Sequence, residues 1–269
     1  MHGAWGQRSS LPDPNDAERA RCRAIRCLPG EIAPLVLLPG DPARAERISE
    51  RHLHNSRLVM VNREFHSYTG EYRGAHVSVI STGLGSPGAA MVMEDLALLG
   101  VKAAIRVGTA GSAQTWINPG DLVIATGAVR DEGVSRHYVE LAHPAVADLR
   151  VINALRAASS AAGIKGIHCG IVHTSDAFKS PVLARGLADA TAARVLAFEM
   201  ETSALLILGG LRGVATGSIL SIDGWVSNVL AGNMVPDHAA RDRAVTAMIG
   251  VALEAAVALH GEIPDAARG

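Results

Sequence analysis

The feature that most constrains the fold of this chain is a repeated unit in which a short apolar run ends in a Gly-rich turn and a helix-like segment follows. Three such apolar runs are 35–38, 76–81 and 103–108. The first stops at Pro39-Gly40, and a helix is expected from about Ala43. Strands that alternate with helices form a parallel sheet covered by helices. We therefore predict an α/β fold, a single α/β/α layered domain with a mixed, largely parallel central sheet.

The remaining elements extend this alternation to the end of the chain. Further strands are expected at 121–128, 167–174 and 214–222, and helices at 89–99, 145–162, 199–211 and 237–259. No linker divides the chain, so the domain is expected to span 31–260. Residues 1–30 are polar and aperiodic and are expected to form a flexible N-terminal tail and arm. Residues 261–269 are expected to form a second tail.

Composition excludes several kinds of partner. The formal net charge is −1, and aromatic residues make up only 3%, so neither a basic field nor stacking platforms for nucleic acid are expected. The sequence has no apolar run of about 18 residues and no secretory signal, which predicts a cytoplasmic protein without membrane contact. Its three cysteines, Cys22, Cys27 and Cys169, lack the spacing of a metal site.

Two arginines lie beside Gly-rich turns, where isolated charges are unexpected. Arg44 lies just after the turn at Gly40, and Arg106 ends an otherwise apolar strand before Thr109. A buried guanidinium needs an anion or a carboxylate. Backbone N–H groups at Gly40 and Thr109 would complete a phosphate cradle. Two structural ion pairs would explain the same pattern.

Three acidic residues are further candidates. Glu199 and Glu201 are expected at the start of a helix, two residues apart, so that only one of them faces a given site. A carboxylate there binds a ribose diol, or stabilises the helix N-terminus. Asp223 ends an apolar strand, where a raised pKa would make it a general acid, although an Asp-Gly pair is also an ordinary turn. The stretch 83–88 (GLGSPG) lacks the spacing of a dinucleotide fingerprint.

Taken together, these motifs resemble the nucleoside phosphorylase family, which includes uridine phosphorylases and hexameric purine nucleoside phosphorylases. The resemblance covers roughly residues 31–260 and is carried by seven ordered stretches: 37–48 (LLPGDPARAERI), 62–74 (NREFHSYTGEYRG), 80–100 (ISTGLGSPGAAMVMEDLALLG), 105–138 (from IRVGTAGS to VSRHY), 174–178 (TSDAF), 198–206 (FEMETSALL) and 219–224 (ILSIDG).

The resemblance implies a role for each candidate. Phosphate would be bound by Gly40, Arg44, Arg106 and Thr109, with Arg63 reaching in from a neighbouring subunit. Ribose would be bound by Met200 and Glu201, and the base by Phe178, Phe198 and Asp223. Asp223 would protonate or hydrogen-bond purine N7, so that Asp223 and Arg106 are the catalytic pair. Glu64 would match a monovalent-cation ligand of uridine phosphorylases.

Further expectations concern partners and assembly. The resemblance implies a homo-oligomer of dimers that share active sites, in a hexamer, with nucleoside and phosphate as substrates. Inorganic phosphate is a co-substrate, and no metal or organic cofactor is required. The resemblance leaves open a uridine phosphorylase, a hydrolytic nucleosidase and an inactive nucleoside-binding protein. Three phosphate arginines argue against the hydrolase.

The sequence departs from the family in two places. Val182 and Ala184 stand where uridine phosphorylases have a Gln and an Arg that read the uracil edge. A pocket without those donors leaves the uracil carbonyls unpaired. The absence of those donors favours purine nucleosides. The sequence of 219–224, with 234–236 beyond it, is most similar to the protozoan type of purine enzyme and favours purine nucleosides too. Ala24 stands near the position where relatives have a His for the ribose 5′-hydroxyl, which leaves the preferred 5′ substituent open.

Overall fold

The computed structural model describes residues 15–233 and 238–262. Its strands are β1 (Leu35–Leu38), β2 (His54–Asn62), β3 (Phe65–Tyr72), β4 (Ala75–Ile80), β5 (Ala103–Ser112), β6 (Leu122–Asp131), β7 (Ala145–Val146), β8 (Ile167–Ser175), β9 (Ala197–Glu199) and β10 (Ala215–Trp225). Its α-helices are α1 (Asp16–Arg19), α2 (Pro42–His52), α3 (Ser86–Leu98), α4 (Leu149–Ala161), α5 (Pro181–Ala192), α6 (Thr202–Arg212), α7 (Val226–Ala231) and α8 (His238–Glu262). A short 3₁₀ helix spans Ser135–His137.

All ten strands belong to one mixed sheet in the order β10-β6-β8-β9-β5-β1-β4-β3-β2, with β7 on β6. Strand β10 also pairs with β5, so five of the strands close into a ring. The α/β class and the mixed sheet are confirmed. The antiparallel share is larger than expected because the β2–β3 hairpin and the short strands β7 and β9 are absent from the sequence prediction.

The core lies between the sheet and its helices. Strand β1 is buried at all four positions, and β5 and β10 are buried over most of their length, as expected for strands covered on both faces. Helices α4 and α8 pack together on one side, and α3 and α6 pack together as a second pair. Helix α6 contacts β6 and β10, so its first turn is fixed next to the sheet centre.

Helix α8 is long and apolar enough to cross a membrane, judged by length and composition only. Half of its most apolar window is buried inside the protein, and it packs against α4, β1, β4, β5 and β10. We therefore assign α8 as a core helix of the domain.

Several boundaries differ from the sequence prediction. The helix expected to begin at residue 199 begins at Thr202, and Glu199 is the last residue of strand β9. The helix expected from residue 145 begins at Leu149, because Ala145 and Val146 pair with β6 and Asp148 caps the helix through the backbone N–H of Arg150. The segment 234–236 lies outside the described residues.

The described part of the N-terminal arm packs against the domain. Asp95, in α3, accepts hydrogen bonds from the backbone N–H groups of Arg23, Ala24 and Ile25 at 3.1, 2.7 and 3.0 Å. Ala24 and Ile25 are fully buried. Residues 15–30 thus include an ordered arm, to which Asp95 contributes three hydrogen bonds and Asn62 two, while residues 1–14 and 263–269 lie outside the described part of the chain.

Candidate active site

A cavity of about 370 Å³ opens where strands β1, β5, β9 and β10 end. Ligands of open α/β sheets bind at this edge, because the strand ends and the loops that follow them diverge there. The residues that line it come from seven separate segments of the chain: Gly40, Asp41 and Arg44; Leu84; Arg106 and Gly108–Gly111; Ser175, Ala177 and Phe178; Phe198–Glu201; Asp223, Val226 and Val229; and Arg241.

Arg44 lines the cavity from the first turn of α2. Asp41 caps this helix by accepting the backbone N–H of Ala43, which fixes the turn that begins at Gly40. Nη1 of Arg44 donates to the carbonyl oxygen of Val107 at 3.1 Å, and its buried Nε has no partner among the described residues. Burial lowers the pKa of Arg44 to about 10; Asp41 opposes this, and the charges of Arg106 and Arg241 add to it.

The guanidinium of Arg106 is held by two carboxylates. Its Nε donates to Glu199 Oε2 at 3.0 Å, and its Nη2 forms an ion pair with Glu201. Nη1 is buried and has no partner among the described residues. A Cβ at position 108 would lie 2.8 Å from Cζ of Arg106, so Gly108 makes room for the guanidinium.

The ion pairs of Arg106 correct the expectation that only one of Glu199 and Glu201 faces the site. That expectation assumed a helix through both residues, whose side chains would point about 200° apart around its axis. Glu199 instead ends a strand, and Glu201 is the N-cap of α6 with φ −138°. The turn between them brings both carboxylates to the same arginine.

Glu201 lines the cavity. Its Oε1 accepts the backbone N–H of Gly85 at 2.5 Å, in addition to the ion pair of its Oε2 with Arg106. Burial raises the pKa of Glu201; the Arg106 charge opposes this, and the charge of Glu199 adds to it. Met200 lies beside it and accepts the hydroxyl of Ser86 at its carbonyl oxygen at 2.8 Å.

Apolar side chains form one part of the cavity lining. Phe198 is buried and stacks on the ring of His173, with a centroid distance of 4.5 Å. Phe178 is 67% exposed at the mouth, and Val226 and Val229 of α7 form another wall. This apolar part of the lining is suited to binding a flat, largely apolar group. Val182 and Ala184 are exposed on α5 and are not among the residues that line the cavity.

Asp223 is the titratable residue of the cavity lining that comes just before α7. It lies near the end of β10, next to the irregularity in register between Ile222 and Gly224. Burial raises its pKa, and the charges of Arg241 and Arg44 oppose this shift. A carboxyl group in such a setting keeps its proton to higher pH than an exposed aspartate.

Sequence reasoning missed Arg241, an exposed residue in the first turns of α8 that lines the cavity. It lies 135 positions from Arg106 in the chain (241 minus 106), and no local pattern distinguishes it from the neighbouring Arg243. Only the packing of α8 along the sheet brings it to the strand ends. With it, three arginines approach the cavity in place of the two expected from this subunit.

Besides Val182 and Ala184, three other residues singled out from the sequence lie outside the cavity lining. Arg63 is exposed in the β2–β3 turn, with φ 56°. Glu64 follows it and packs on Gly83, where a Cβ would lie 2.8 Å from Cγ of Glu64. Ala24 is buried in the core. Among residues 15–233 and 238–262, no group of three His, Cys, Asp or Glu residues is arranged to hold a metal ion.

Comparisons with known proteins identify the family to which the chain is similar. The family model described as Phosphorylase superfamily matches residues 34–258. The chain is 41% identical over 210 residues to a uridine phosphorylase of Thermococcus kodakarensis, covering 74% of this chain and 75% of the relative. It is 35% identical over 204 residues to a guanosine phosphorylase of Halorubrum lacusprofundi, covering 76% and 82%.

Two solved structures share the fold over most of their length. Purine nucleoside phosphorylase from Toxoplasma gondii, in complex with immucillin-H, superposes with a TM-score of 0.82 at 30% identity and covers 88% of this chain and 96% of its own. Uridine phosphorylase from Vibrio fischeri ES114 gives a TM-score of 0.78 at 32% identity, with 85% and 93% covered.

Proposed function

Because the chain belongs to the phosphorylase superfamily and is an enzyme of the nucleoside phosphorylase type, we propose that it cleaves ribonucleosides with inorganic phosphate and prefers purine nucleosides. The products are the free base and ribose 1-phosphate. The observation that carries the purine preference is the place of Asp223 in the cavity lining together with Phe178, Phe198, Val226 and Val229, with its pKa raised by burial.

Phosphate binding is supported by two buried arginines in the cavity lining. Arg44 and Arg106 are buried there, and each has an N–H group without a partner among the described residues. Buried guanidinium groups with free donors attract an anion, and a phosphate oxygen accepts such bonds well. The dianion is then positioned and desolvated before it reacts.

The nucleoside is proposed to lie with its ribose next to the bound phosphate and its base against the apolar part of the cavity lining. Glu201 accepts the 2′ and 3′ hydroxyls, which places C1′ between the phosphate and the base. A phosphate oxygen forms a bond to C1′ as the bond between C1′ and N9 breaks, and the bonding electron pair leaves with the purine. The proton of Asp223 moves to N7, so that the purine leaves as a neutral base. Arg44 and Arg106 stabilise the phosphate throughout.

Uridine is the second candidate substrate. The names of several relatives favour it, including uridine phosphorylases at 41% identity. The sequence favours purines instead, because Val182 and Ala184 stand where uridine phosphorylases have a Gln and an Arg for the uracil carbonyls, and neither lines the cavity. A carbonyl left unpaired in a buried site costs about 1–3 kcal/mol.

The test is a set of parallel assays with inosine, guanosine, adenosine, methylthioadenosine and uridine, each with and without phosphate. We expect base release that saturates with phosphate, ribose 1-phosphate as the second product, and the highest kcat/KM for a purine nucleoside. Equal rates in phosphate-free buffer would identify a hydrolase. A higher kcat/KM for uridine than for every purine nucleoside would reject the purine preference and leave the phosphorolysis intact.

A further inference from the structure

Glu199 is a buried carboxylate to which the proposed reaction assigns no contact with substrate. Its side chain is fully buried, and both of its oxygens are occupied by groups of the protein. Oε2 accepts Nε of Arg106 at 3.0 Å and the backbone N–H groups of Glu201 and Thr202 at 2.9 and 2.8 Å. Oε1 accepts the hydroxyl of Thr174 at 2.5 Å and shares the N–H of Thr202 at 3.0 Å.

We infer that Glu199 is a positioning residue that fixes the guanidinium of Arg106 so that Nη1 faces the phosphate, an inference that rests on the proposed phosphate site. A guanidinium group is planar and donates from three nitrogens. Glu199 occupies Nε and Glu201 occupies Nη2, which leaves Nη1 as the free donor. Two charge-assisted bonds on different nitrogens fix the orientation of the plane.

The two carboxylates differ in what else they do. Glu201 is proposed to bind the ribose diol, so its bond to Arg106 competes with substrate. Glu199 has no free accepting direction toward the cavity, because four donors already surround it and one of them, the N–H of Thr202, is shared between both oxygens. When Glu201 engages the ribose, Glu199 is the group that keeps Arg106 in place.

The same carboxylate connects the two substrate positions. Glu199 ends β9, whose Phe198 pairs with Gly111 of the strand that carries Arg106. It also accepts the N–H of Glu201 at the start of α6. The phosphate arginine and the ribose carboxylate are therefore fixed relative to each other through one side chain, at the accuracy that an in-line reaction requires.

The direction in which Glu199→Gln changes the phosphate kinetics distinguishes a positioning role from a simple effect of charge. Glu199→Gln keeps the shape of the side chain but removes a negative charge next to the phosphate, and that loss alone would tighten phosphate binding. A positioning role predicts the opposite result. We expect kcat/KM for phosphate to fall about tenfold to a hundredfold, because misplacing a reacting group by about 1 Å has that effect.

A matched control is Glu132→Gln. Glu132 is equally buried and accepts bonds from Val134, Ser135 and Ser203, with no arginine among its described contacts. Its replacement should lower Tm and leave kcat/KM for phosphate within about twofold, as expected for a site outside the cavity. Thr174→Val is a second variant of the positioning contact, since it loosens Glu199 while keeping its charge. We expect from it a smaller fall of the same kind.

The decisive experiment is a double-mutant cycle on the purified full-length enzyme with Glu199→Gln and Arg106→Lys, read as kcat/KM for phosphate. If Glu199 acts through Arg106, the second change adds little once the first is present. Additive losses, or a loss of Tm without any change in the phosphate kinetics, would overturn the inference and leave Glu199 as a helix cap. The wild-type control separates this from failure of the proposed function, which would appear as turnover without phosphate.

Discussion

At the scale of single residues, the proposed reaction divides between two carboxyl groups in different surroundings. Glu201 forms an ion pair with Arg106 and accepts one backbone N–H, whereas Asp223, near the end of β10, forms no ion pair among the described residues. Burial raises the pKa of both carboxyl groups and nearby arginine charges oppose the shift in both, but Glu201 is the one in direct contact with its arginine. We therefore assign the hydroxyl-accepting role to Glu201 and the proton-donating role to Asp223.

Glu201→Gln should lower kcat/KM for ribonucleosides by about tenfold to a hundredfold, the effect of losing one or two charge-assisted hydrogen bonds. The amide donates where the ribose diol needs an acceptor. The measurement compares inosine with 2′,3′-dideoxyinosine, which has no diol and should lose much less. Equal losses for both substrates would instead indicate that Glu201 acts only as the N-cap of α6 and as a partner of Arg106.

Asp223→Asn should lower purine cleavage by about 10²–10⁴-fold, the usual contribution of a general acid, because an amide donates a hydrogen bond but transfers no proton. Phosphate binding should be nearly unchanged. The variant should also be at least as stable as the wild type at neutral pH. Burial raises the folded-state pKa of Asp223, so its stabilising contribution is complete below the unfolded pKa and is lost as pH rises through the folded value.

The activity of the wild type has a related pH dependence. Purine turnover should decline as pH rises through the raised pKa of Asp223, because the reactive form is the protonated one. Thermal melts and pH profiles of the wild type and Asp223→Asn check both statements. If the change lowers Tm and leaves purine turnover intact, Asp223 is a turn residue of the Asp-Gly pair.

The same scale shows how far the sequence predicts the site. Arg44, Arg106, Glu201 and Asp223 could be singled out because each lies at or next to an end predicted for a strand, turn or helix, where a charge needs a partner. The binding of Arg106 by both Glu199 and Glu201 could not be predicted, because it depends on Glu199 being the last residue of a strand. Arg241 was also out of reach, since nothing local marks which face of α8 meets the sheet.

At the scale of elements, buried strands were predictable and exposed ones were not. Strands β1, β5 and β10 form unbroken apolar runs because they are covered on both faces. Strand β2 has no buried position, so its sequence shows neither an apolar run nor a clean alternation. Strand β9 is only three residues long and depends on β5 and β8 for its hydrogen bonds.

The attachment of the N-terminal arm to α3 gives an element-scale prediction. Asp95→Ala removes the acceptor of three backbone N–H groups, two of them buried, and should lower the free energy of unfolding by about 3 kcal/mol. The arm should also become susceptible to trypsin at Arg21 and Arg23. Urea denaturation and timed digestion measure the two effects.

The control for the arm is Asp16→Asn, which breaks an ion pair between Asp16 and Arg26 at the surface. An exposed pair contributes about 0–1 kcal/mol, so this variant should behave nearly like the wild type. Unchanged stability and unchanged digestion of Asp95→Ala would show that the arm is held by its buried side chains alone.

At the scale of the whole molecule, Arg63 predicts that active sites are shared between subunits. It is exposed in the β2–β3 turn and does not line the cavity of its own chain. Arg63→Ala and Arg106→Ala should each be nearly inactive. After dissociation and reassembly of an equal mixture, about a quarter of the sites should carry both arginines, the share expected for random two-fold dimers.

Assays before and after reassembly check this prediction, with analytical ultracentrifugation to establish the oligomeric state. Recovery toward a quarter of wild-type activity supports shared sites. An active monomer, or no recovery in dimers known to have exchanged subunits, would place the function of Arg63 elsewhere. Arg51→Ala is a suitable control, because it changes an exposed arginine of α2 that the site does not use.

The pairing of β5 with both β1 and β10 also has a consequence for how the chain acquires activity. Ala103 pairs with Leu35 on one side and with Ala215 on the other, so the sheet centre joins segments that are synthesised far apart in time. Such distant pairings form slowly, after local helices and hairpins. Arg44 and Arg106 therefore leave the ribosome well before Asp223 and Arg241. During refolding, the recovery of turnover should follow the recovery of helical circular dichroism, which makes catalysis a reporter of the last step of folding.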